Sequence, residues 1–172
     1  MSHATLHMLC GKIASGKSTL TTDLRQMPLT IVISEDSYLK RLFESEINNV
    51  TDYIRCSRRL RDAISPLIQD LLRIGVSVVL DFPANTHATR SWMRTLFEST
   101  GADHCLHFLD VPDEVCKARL RARNTTKAHD FVTSDSEFDQ ITSYFVPPSE
   151  TERFNVIRYE TISSKDGLSQ NS

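Results

Sequence analysis

Short apolar runs and helix-spaced apolar residues alternate along the whole chain. The short runs predict five β-strands, at Thr5–Cys10, Thr30–Ser34, Val76–Asp81, His104–Asp110 and Phe154–Tyr159. Between them, apolar residues recur every three or four positions, which is the spacing of a helix with one buried face. Strands that alternate with helices build βαβ units, so the pattern predicts an α/β fold with a mostly parallel sheet.

Helix boundaries follow from capping and helix-breaking residues. The longest predicted helix runs from about Thr51 to Arg73, with Gly75 as its C-terminal cap, and Pro66 should kink it or divide it into two helices. Other helices are expected after the residue 11–18 loop as far as Met27, from Asp36 or Ser37, from Thr86 to about Ser99, and after Pro112. Asp113 and Glu114 suit the first turn of the last helix, because acidic side chains stabilise a helix N-terminus.

Composition and charge are those of an ordinary globular protein. Of the 172 residues, 40% are hydrophobic and 24% charged, which suits a single domain with a flexible polar tail at residues 163–172. No apolar run is long enough to span a bilayer and no signal peptide is recognised, so we expect a cytoplasmic protein with no membrane partner. The net charge of −2 gives no overall attraction to nucleic acid, although a local arginine cluster can still hold a small anion.

The chain carries four cysteines: Cys10, Cys56, Cys105 and Cys116. None of them has C-x-x-C or Cys/His ligand spacing, so we expect reduced, structural thiols and no zinc. His87, His104, His107 and His129 likewise show neither ligand spacing nor a nucleophile partner, and no catalytic role is assigned to them.

Residues 11–18 fit the phosphate-binding pattern G-x-x-x-x-G-K-[ST], and a strand-like run before them and a helical pattern after them supply the context that this pattern requires. Backbone N–H groups of such a loop bind phosphate oxygens together with the helix N-terminus. Lys17 is expected to contact the β- and γ-phosphates, and the Ser18 hydroxyl to hold Mg²⁺. The predicted nucleotide-binding residues of this P-loop are Gly11, Lys12, Ile13, Ala14, Ser15, Gly16, Lys17, Ser18 and Thr19.

Carboxylates follow the predicted strands at the edge where parallel α/β sheets bind their ligands. Asp81 ends the apolar third strand as a Walker-B acid does, so it can hold Mg²⁺ through water, or else cap the following turn. Asp36 follows the second strand and can accept the proton of an attacking hydroxyl, or else cap a helix. Its neighbour Glu35 is a competing base. Asp110 follows the fourth strand, and these acids would repel one another unless cations lay among them.

Arginines form three groups, and each group can either bind an anion or lie on a solvated helix face. Arg119 and Arg123 are four residues apart, so they share a helix face that can meet the charge of a transferring phosphoryl group, or lie in solvent at a helix end. The run from Arg55 to Arg61 is interpreted as a solvated helix face in preference to an anion site. Arg90 and Arg94 allow the same two interpretations.

Four segments together carry a family resemblance: the P-loop, Ser34-Glu35-Asp36-Ser37-Tyr38, Leu80-Asp81, and Val111-Pro112 leading to Arg119-x-x-x-Arg123. They resemble the small P-loop kinases of the AAA_33 type, a group that includes the phosphotransferase half of polynucleotide kinase, chloramphenicol phosphotransferase and the zeta toxins. The resemblance covers nearly the whole chain. It implies a three-layer P-loop NTPase fold with a five-stranded parallel sheet in the order 2-3-1-4-5, in one kinase domain over residues 1–162 with a small lid at about 121–146.

The resemblance also implies roles for individual residues. ATP and Mg²⁺ are the expected cofactors, with Ser18 and, through water, Asp81 at the metal. Asp36 matches the general base that activates the acceptor hydroxyl. Arg119 and Arg123 match the lid arginines that contact the nucleotide, so Asp36, Lys17 and Arg123 are the expected catalytic residues.

Two departures from the family pattern affect the expected acceptor. Polynucleotide kinases carry an arginine soon after the base, in the pattern D-D-Y-R, whereas leucine stands at position 39 here, so Lys40 or Arg41 would have to compensate. The segment Asp81–Asn85 also differs from the usual D-x-[TN]. We therefore expect a small hydroxylated molecule, such as a sugar, nucleoside or antibiotic, in preference to a nucleic acid. A polynucleotide 5′-hydroxyl kinase and a regulatory P-loop NTPase or zeta-toxin-like protein are the alternatives, and nothing in the sequence indicates an oligomeric state.

Overall fold

A single sheet organises the protein. The structure is a computed structural model that describes residues 4–125, 133–160 and 169–171. Its strands are β1 (Thr5–Gly11), β2 (Thr30–Ser34), β3 (Ser77–Pro83), β4 (Asp103–Asp110), β5 (Val156–Glu160) and β6 (Ser169–Asn171). Their order is β2-β3-β1-β4-β5-β6, and every neighbouring pair is parallel except β5 and β6. The predicted five-stranded parallel sheet of order 2-3-1-4-5 is therefore confirmed, and β6 adds a short antiparallel edge to it.

Helices cover both faces of the sheet, which gives the expected three layers. They are α1 (Lys17–Leu24), α2 (Glu35–Phe43), α3 (Val50–Arg73), α4 (His87–Glu98), α5 (Asp113–Thr125) and α6 (Asp135–Thr142), with a 3-10 turn at Glu150–Glu152. Apolar residues of α1, α5 and α6 form one core with Leu9 of β1. Leu6, Met8 and Cys10 of the same strand point to the other face, where they join the core that α3 and α4 close. The alternation along β1 therefore divides the interior into two cores.

The longest helix, α3, continues through its proline. Its buried residues recur every fourth position, at Cys56, Leu60, Ile64, Ile68 and Leu72. Pro66 lies on the exposed side, where water can hydrate the carbonyl group that lacks its usual N–H donor. The proline thus does not divide the helix, contrary to one of the two sequence expectations.

Two predicted segments fall partly outside the described residues. Of the expected lid at about 121–146, the end of α5 and all of α6 are described, whereas residues 126–132 are not. Of the expected flexible tail at 163–172, residues 169–171 are described and pair with β5 as β6. The four cysteines are buried free thiols, as expected. Among the described residues, we find no helix with the length and apolar character that a membrane span needs.

Candidate active site

The P-loop joins β1 to α1 through a backbone path that needs its glycines. Gly16 has a φ of 107°, a conformation that residues with a Cβ rarely adopt. Gly11 is required by close approach, because a Cβ there would lie 2.6 Å from Ser15 Oγ and 3.1 Å from Leu109 Cβ. Ser15 itself is fully buried, so its hydroxyl packs under the loop. Ser18 and Thr19 are exposed in the first turn of α1.

Lys17, the first residue of α1, reaches back over the loop. Its Nζ donates hydrogen bonds to the carbonyl oxygens of Gly11, at 2.6 Å, and Lys12, at 2.8 Å. Burial lowers the pKa of Lys17, while the charges of Asp81 and Asp36 act in the opposite direction. A phosphate would give this ammonium charge-assisted hydrogen bonds, which are stronger than those to neutral carbonyl groups.

The two candidate bases after β2 have different surroundings. Glu35 is 3% exposed and accepts hydrogen bonds from Ser57 and, at 2.8 Å, from the Tyr53 hydroxyl, both on α3. Burial raises the pKa of the Glu35 carboxyl. Asp36, the next residue, is exposed, because successive side chains of a helix point about 100° apart. Glu35 therefore anchors α2 to α3, and Asp36 is the carboxylate of the two that an external molecule can reach.

Neither Asp36 nor Asp81 occupies the N-cap position of a helix. Helix α2 begins at Glu35 with Ser34 at its N-cap position, so Asp36 lies inside the first turn. Asp81 lies within β3, opposite Ser34 of β2, and the cap of the following helix is Thr86, whose side chain accepts from the Thr89 N–H group.

Asp81, Asp36 and Lys17 form one electrostatic cluster at the carboxyl ends of the strands. Burial raises the pKa of the half-buried Asp81, and the charge of Asp36 raises it further. A hydrogen bond with Ser34 and the charge of Lys17 oppose that shift. Two neighbouring carboxylates beside one lysine favour a further cation among them.

Helix α5 is tied to the P-loop at two points. Lys12 forms an ion pair with Asp113 in the first turn of the helix. Two turns further along, Arg119 Nη1 donates to the Ser15 carbonyl oxygen at 3.2 Å. Arg123 follows one turn later and is half-buried. Arg119 therefore lies against the P-loop, and the expectation that Arg119 and Arg123 contact a nucleotide stays a prediction.

Other charged residues singled out from the sequence lie in structural contacts. Asp110 accepts a hydrogen bond from Arg158 Nε at 3.0 Å, so a β5 residue neutralises the fourth-strand acid. In the basic run on α3, Arg55 pairs with Asp52 at 3.3 Å and is exposed, in keeping with a solvated face. These residues do not join the cluster at the P-loop.

Arg90 and Arg94 make contacts that hold distant parts of the chain together. Arg90 is fully buried and bonds both carboxylate oxygens of Glu152, at 2.7 and 2.9 Å, as well as the carbonyl oxygens of Ala84 and Val146. Arg94 lies over the ring of Phe154, 4.3 Å from its centroid. These contacts favour the structural interpretation of the pair over the anion-binding one.

Sequence reasoning missed the residue that fixes the start of the P-loop. Asn85, in the turn after β3, accepts from the Gly11 N–H group at 2.9 Å and donates to the Gly11 carbonyl oxygen at 3.0 Å. A side-chain amide can pair with one peptide group in this way because it carries both a donor and an acceptor. The only signal in the sequence was the departure of this segment from the family pattern.

Comparisons with known proteins agree with the observed fold. A family model described as an AAA domain (AAA_33) matches residues 6–148. Among solved structures, the chain is similar to a protein from Chloroflexus aurantiacus j-10-fl that is provisionally assigned as a kinase, with 14% identity, a TM-score of 0.73, and coverage of 94% of this chain and 90% of that one. It is also similar to the Mycobacterium tuberculosis APS kinase CysC in complex with AMPPNP and APS, with 18% identity, a TM-score of 0.60, and coverage of 95% and 92%.

A third similar structure is the Pnkp1/Rnl/Hen1 RNA repair complex, with 17% identity, a TM-score of 0.63, and coverage of 84% of this chain and 44% of that one. At these identities the likeness shows the fold alone, which is that of P-loop kinases. A search among curated proteins found no similar sequence.

Proposed function

The chain belongs to the AAA domain family (AAA_33), and we propose that it is an ATP- and Mg²⁺-dependent kinase that transfers the γ-phosphoryl group to a hydroxyl of a small molecule. One observation carries the proposal: Asp36 is exposed beside Lys17 and Asp81 at the P-loop, whereas the adjacent Glu35 is buried. This arrangement supplies a phosphate-binding cation and a carboxylate that an acceptor can reach.

Ser18 and Asp81 fit the magnesium ion that such a reaction uses. The Ser18 hydroxyl is exposed at the start of α1, and Asp81 lies beside a second carboxylate, Asp36, so a cation would relieve the repulsion that the two acids exert on each other. The ion, when bound, neutralises charge on the β- and γ-phosphate oxygens.

In the proposed reaction Asp36 orients the acceptor hydroxyl and takes its proton. The acceptor oxygen forms a bond to the γ-phosphorus, and the bond from that phosphorus to the bridging oxygen breaks, so that ADP leaves. Lys17 stabilises the phosphates, and the lid arginines Arg119 and Arg123 balance charge on the transferring group. Movement of α5 with α6 as a lid would exclude water, which otherwise competes with the acceptor.

The charge distribution supports a small acceptor over a nucleic acid. Several exposed or half-buried arginines outside the P-loop cluster already face carboxylates: Arg55 with Asp52, Arg59 with Glu46 and Arg94 with Glu98. A surface that binds a polynucleotide needs a continuous positive groove along the backbone, and paired arginines contribute less to one.

The test is a transfer screen with ATP labelled at its γ-phosphate. Nucleosides, aminoglycosides, sugars and oligonucleotides serve as acceptors. The Lys17→Ala variant, once circular dichroism has shown that it is folded, serves as the inactive control. We expect label on at least one small molecule with the wild type and none with the variant.

Two outcomes would overturn the proposal. Label on oligonucleotides alone, with binding that weakens steeply as salt rises, would identify a polynucleotide kinase. Slow ATP hydrolysis with no labelled acceptor, unchanged when Asp36 is replaced, would identify a regulatory NTPase.

A further inference from the structure

Three residues with metal-binding side chains meet on the face of the sheet that α1 covers. His7 lies on β1 directly opposite Cys105 of β4, and His107 follows two residues later on the same side of β4. All three are nearly inaccessible, with exposed fractions of 6%, 6% and 3% for His7, Cys105 and His107. Their nitrogen and sulfur ligand atoms all lie within 4.8 Å of one another.

The hydrogen bonds of this cluster leave one buried atom without a partner. His7 Nδ1 lies 3.0 Å from His107 Nε2, and His107 Nδ1 lies 2.8 Å from the Tyr159 hydroxyl. One proton serves each link, so whichever tautomers are present, the chain of bonds ends at His7 Nε2. That atom is buried and has no hydrogen-bond partner. The two nitrogens that face each other across one shared proton, His7 Nδ1 and His107 Nε2, are therefore the ones that a shared ion can reach, and His7 Nε2 lies outside that pair.

We propose that His7, His107 and Cys105 form a transition-metal site, for which Zn²⁺ is the best-fitting ion. Zinc–nitrogen bonds of about 2.0–2.1 Å at tetrahedral angles place two ligand nitrogens about 3.3–3.4 Å apart, close to the present separation of the two imidazoles. Small rotations of these side chains would let the ion replace the proton that His7 and His107 now share.

The donor set selects the kind of ion. Imidazole nitrogen and thiolate sulfur bind zinc and cobalt, whereas magnesium and calcium prefer oxygen, so this site is chemically separate from the magnesium site at Ser18. The bond between His107 Nδ1 and Tyr159 would orient that imidazole from behind, as second-sphere partners of zinc-binding histidines do.

Coordination sets the protonation of the ligands. A zinc ligand must be a neutral imidazole or a thiolate, so binding through Cys105 would release the proton of its thiol.

A cavity beside the cluster leaves room for a fourth ligand. It has a volume of about 1020 Å³ and is lined by His7, Cys105, His107 and Tyr159 on the sheet and by Thr19, Leu20 and Asp23 on α1. Three protein ligands with an open fourth position are typical of zinc sites that bind water or an exchangeable molecule. Asp23 and Asp103, both exposed in the wall of this cavity, add negative charge that favours a cation.

The test is a cobalt titration of the full chain after treatment with a chelator. We expect the visible bands of tetrahedral Co²⁺ and the near-ultraviolet thiolate-to-cobalt band, both removed by added Zn²⁺. Cys105→Ala should lose the thiolate band, and His7→Gln should weaken Co²⁺ binding at least tenfold. Cys116→Ala, which removes another buried thiol, and His87→Gln, which removes an exposed imidazole, are the matched controls and should behave as the wild type.

A second measurement does not depend on spectra. Zn²⁺ should raise the melting temperature of the wild type and of Cys116→Ala, but not that of Cys105→Ala, because an ion that binds only the folded state stabilises it. The proposal is wrong if wild-type protein gives no thiolate band, or if the band persists in Cys105→Ala. Neither readout requires kinase activity.

Discussion

At the scale of single residues, the adjacent acids Glu35 and Asp36 illustrate how one position decides a role. The helix starts at Glu35, so this side chain points to α3 and is enclosed by Tyr53 and Ser57, while Asp36 stays exposed near Lys17. Each side chain is a carboxylate, and only its position on the helix makes one a structural anchor and the other a candidate base.

Burial of Glu35 predicts a measurable pH dependence of stability. Burial raises its pKa in the folded state above the ordinary value of 4.5, so the folded protein holds this proton more tightly than the unfolded chain. The associated stability is fully present below about pH 4.5 and is lost as pH rises through the folded pKa. In urea unfolding at several pH values, wild type should therefore lose stability relative to Glu35→Gln as pH rises through this window.

A matched substitution separates this effect from a general change of charge. Glu44→Gln removes an exposed carboxylate just beyond α2 and should follow the wild-type pH profile. A free-energy difference between wild type and Glu35→Gln that stays constant with pH would contradict the raised pKa.

Two basic residues on α2 could compensate for the leucine at position 39, which stands where polynucleotide kinases carry an arginine. Lys40 lies about 40° around the helix from Asp36, on the same exposed side, whereas Arg41 lies about 140° away. With the acceptor found in the transfer screen, Lys40→Ala should lower kcat/KM roughly 10- to 100-fold, the usual effect of losing a charged hydrogen bond. Arg41→Ala should change it by no more than about twofold, and equal losses in both variants would refute a specific role for Lys40.

At the scale of elements, a buried ion pair fastens the segment before β5 to α4. Arg90 donates hydrogen bonds to the Glu152 carboxylate and to the carbonyl oxygens of Ala84 and Val146. One side chain thus joins the turn between β3 and α4 to the segment that follows α6. This geometry keeps the segment between α6 and β5 against the body of the protein.

Removing that arginine should be strongly destabilising. Arg90→Ala would remove a fully buried guanidinium and leave Glu152 with only the Ser149 N–H group and His87 beside it. Breaking a buried ion pair costs about 3–5 kcal/mol, and the partial exposure of Glu152 puts this pair at the lower end. Arg73→Ala, which breaks the exposed pair with Asp70, should cost at most about 1 kcal/mol. Urea unfolding checks both values, and a similar small loss in the two variants would show that the Arg90 pair contributes little.

At the scale of the whole molecule, the sequence predicted those features that depend on the local pattern of residues. Periodicity located the strands, and the P-loop motif located the loop between β1 and α1. The continuous path of α3 could not be predicted from Pro66 alone, because the outcome depends on which face of the helix meets solvent. The contacts of Asn85 with Gly11, and the cluster of His7, Cys105 and His107, depend on which strands lie side by side.

At the candidate site, too, local pattern located some residues and tertiary packing decided the others. The sequence placed Lys17 and Asp36 on successive strand ends, and parallel strands bring such ends together. The residue pattern alone did not distinguish Asp36 from Glu35, and only the family resemblance favoured Asp36. The choice depends on where α2 begins and on the side chains that α3 presents. The proposed role of Asp36 in phosphoryl transfer from a nucleotide at the P-loop depends on both its sequence position and its exposure.

The most direct test of that claim compares nucleotide affinity and transfer rate in one preparation of Asp36→Asn. The variant keeps Lys17 and the loop, so ATP affinity by calorimetry should stay within about threefold of wild type, while turnover of the labelled acceptor should fall by about 10²- to 10⁴-fold, the usual contribution of a general base. Asp62→Asn, an exposed site on α3, should leave both quantities unchanged. Wild-type turnover in Asp36→Asn would contradict the account.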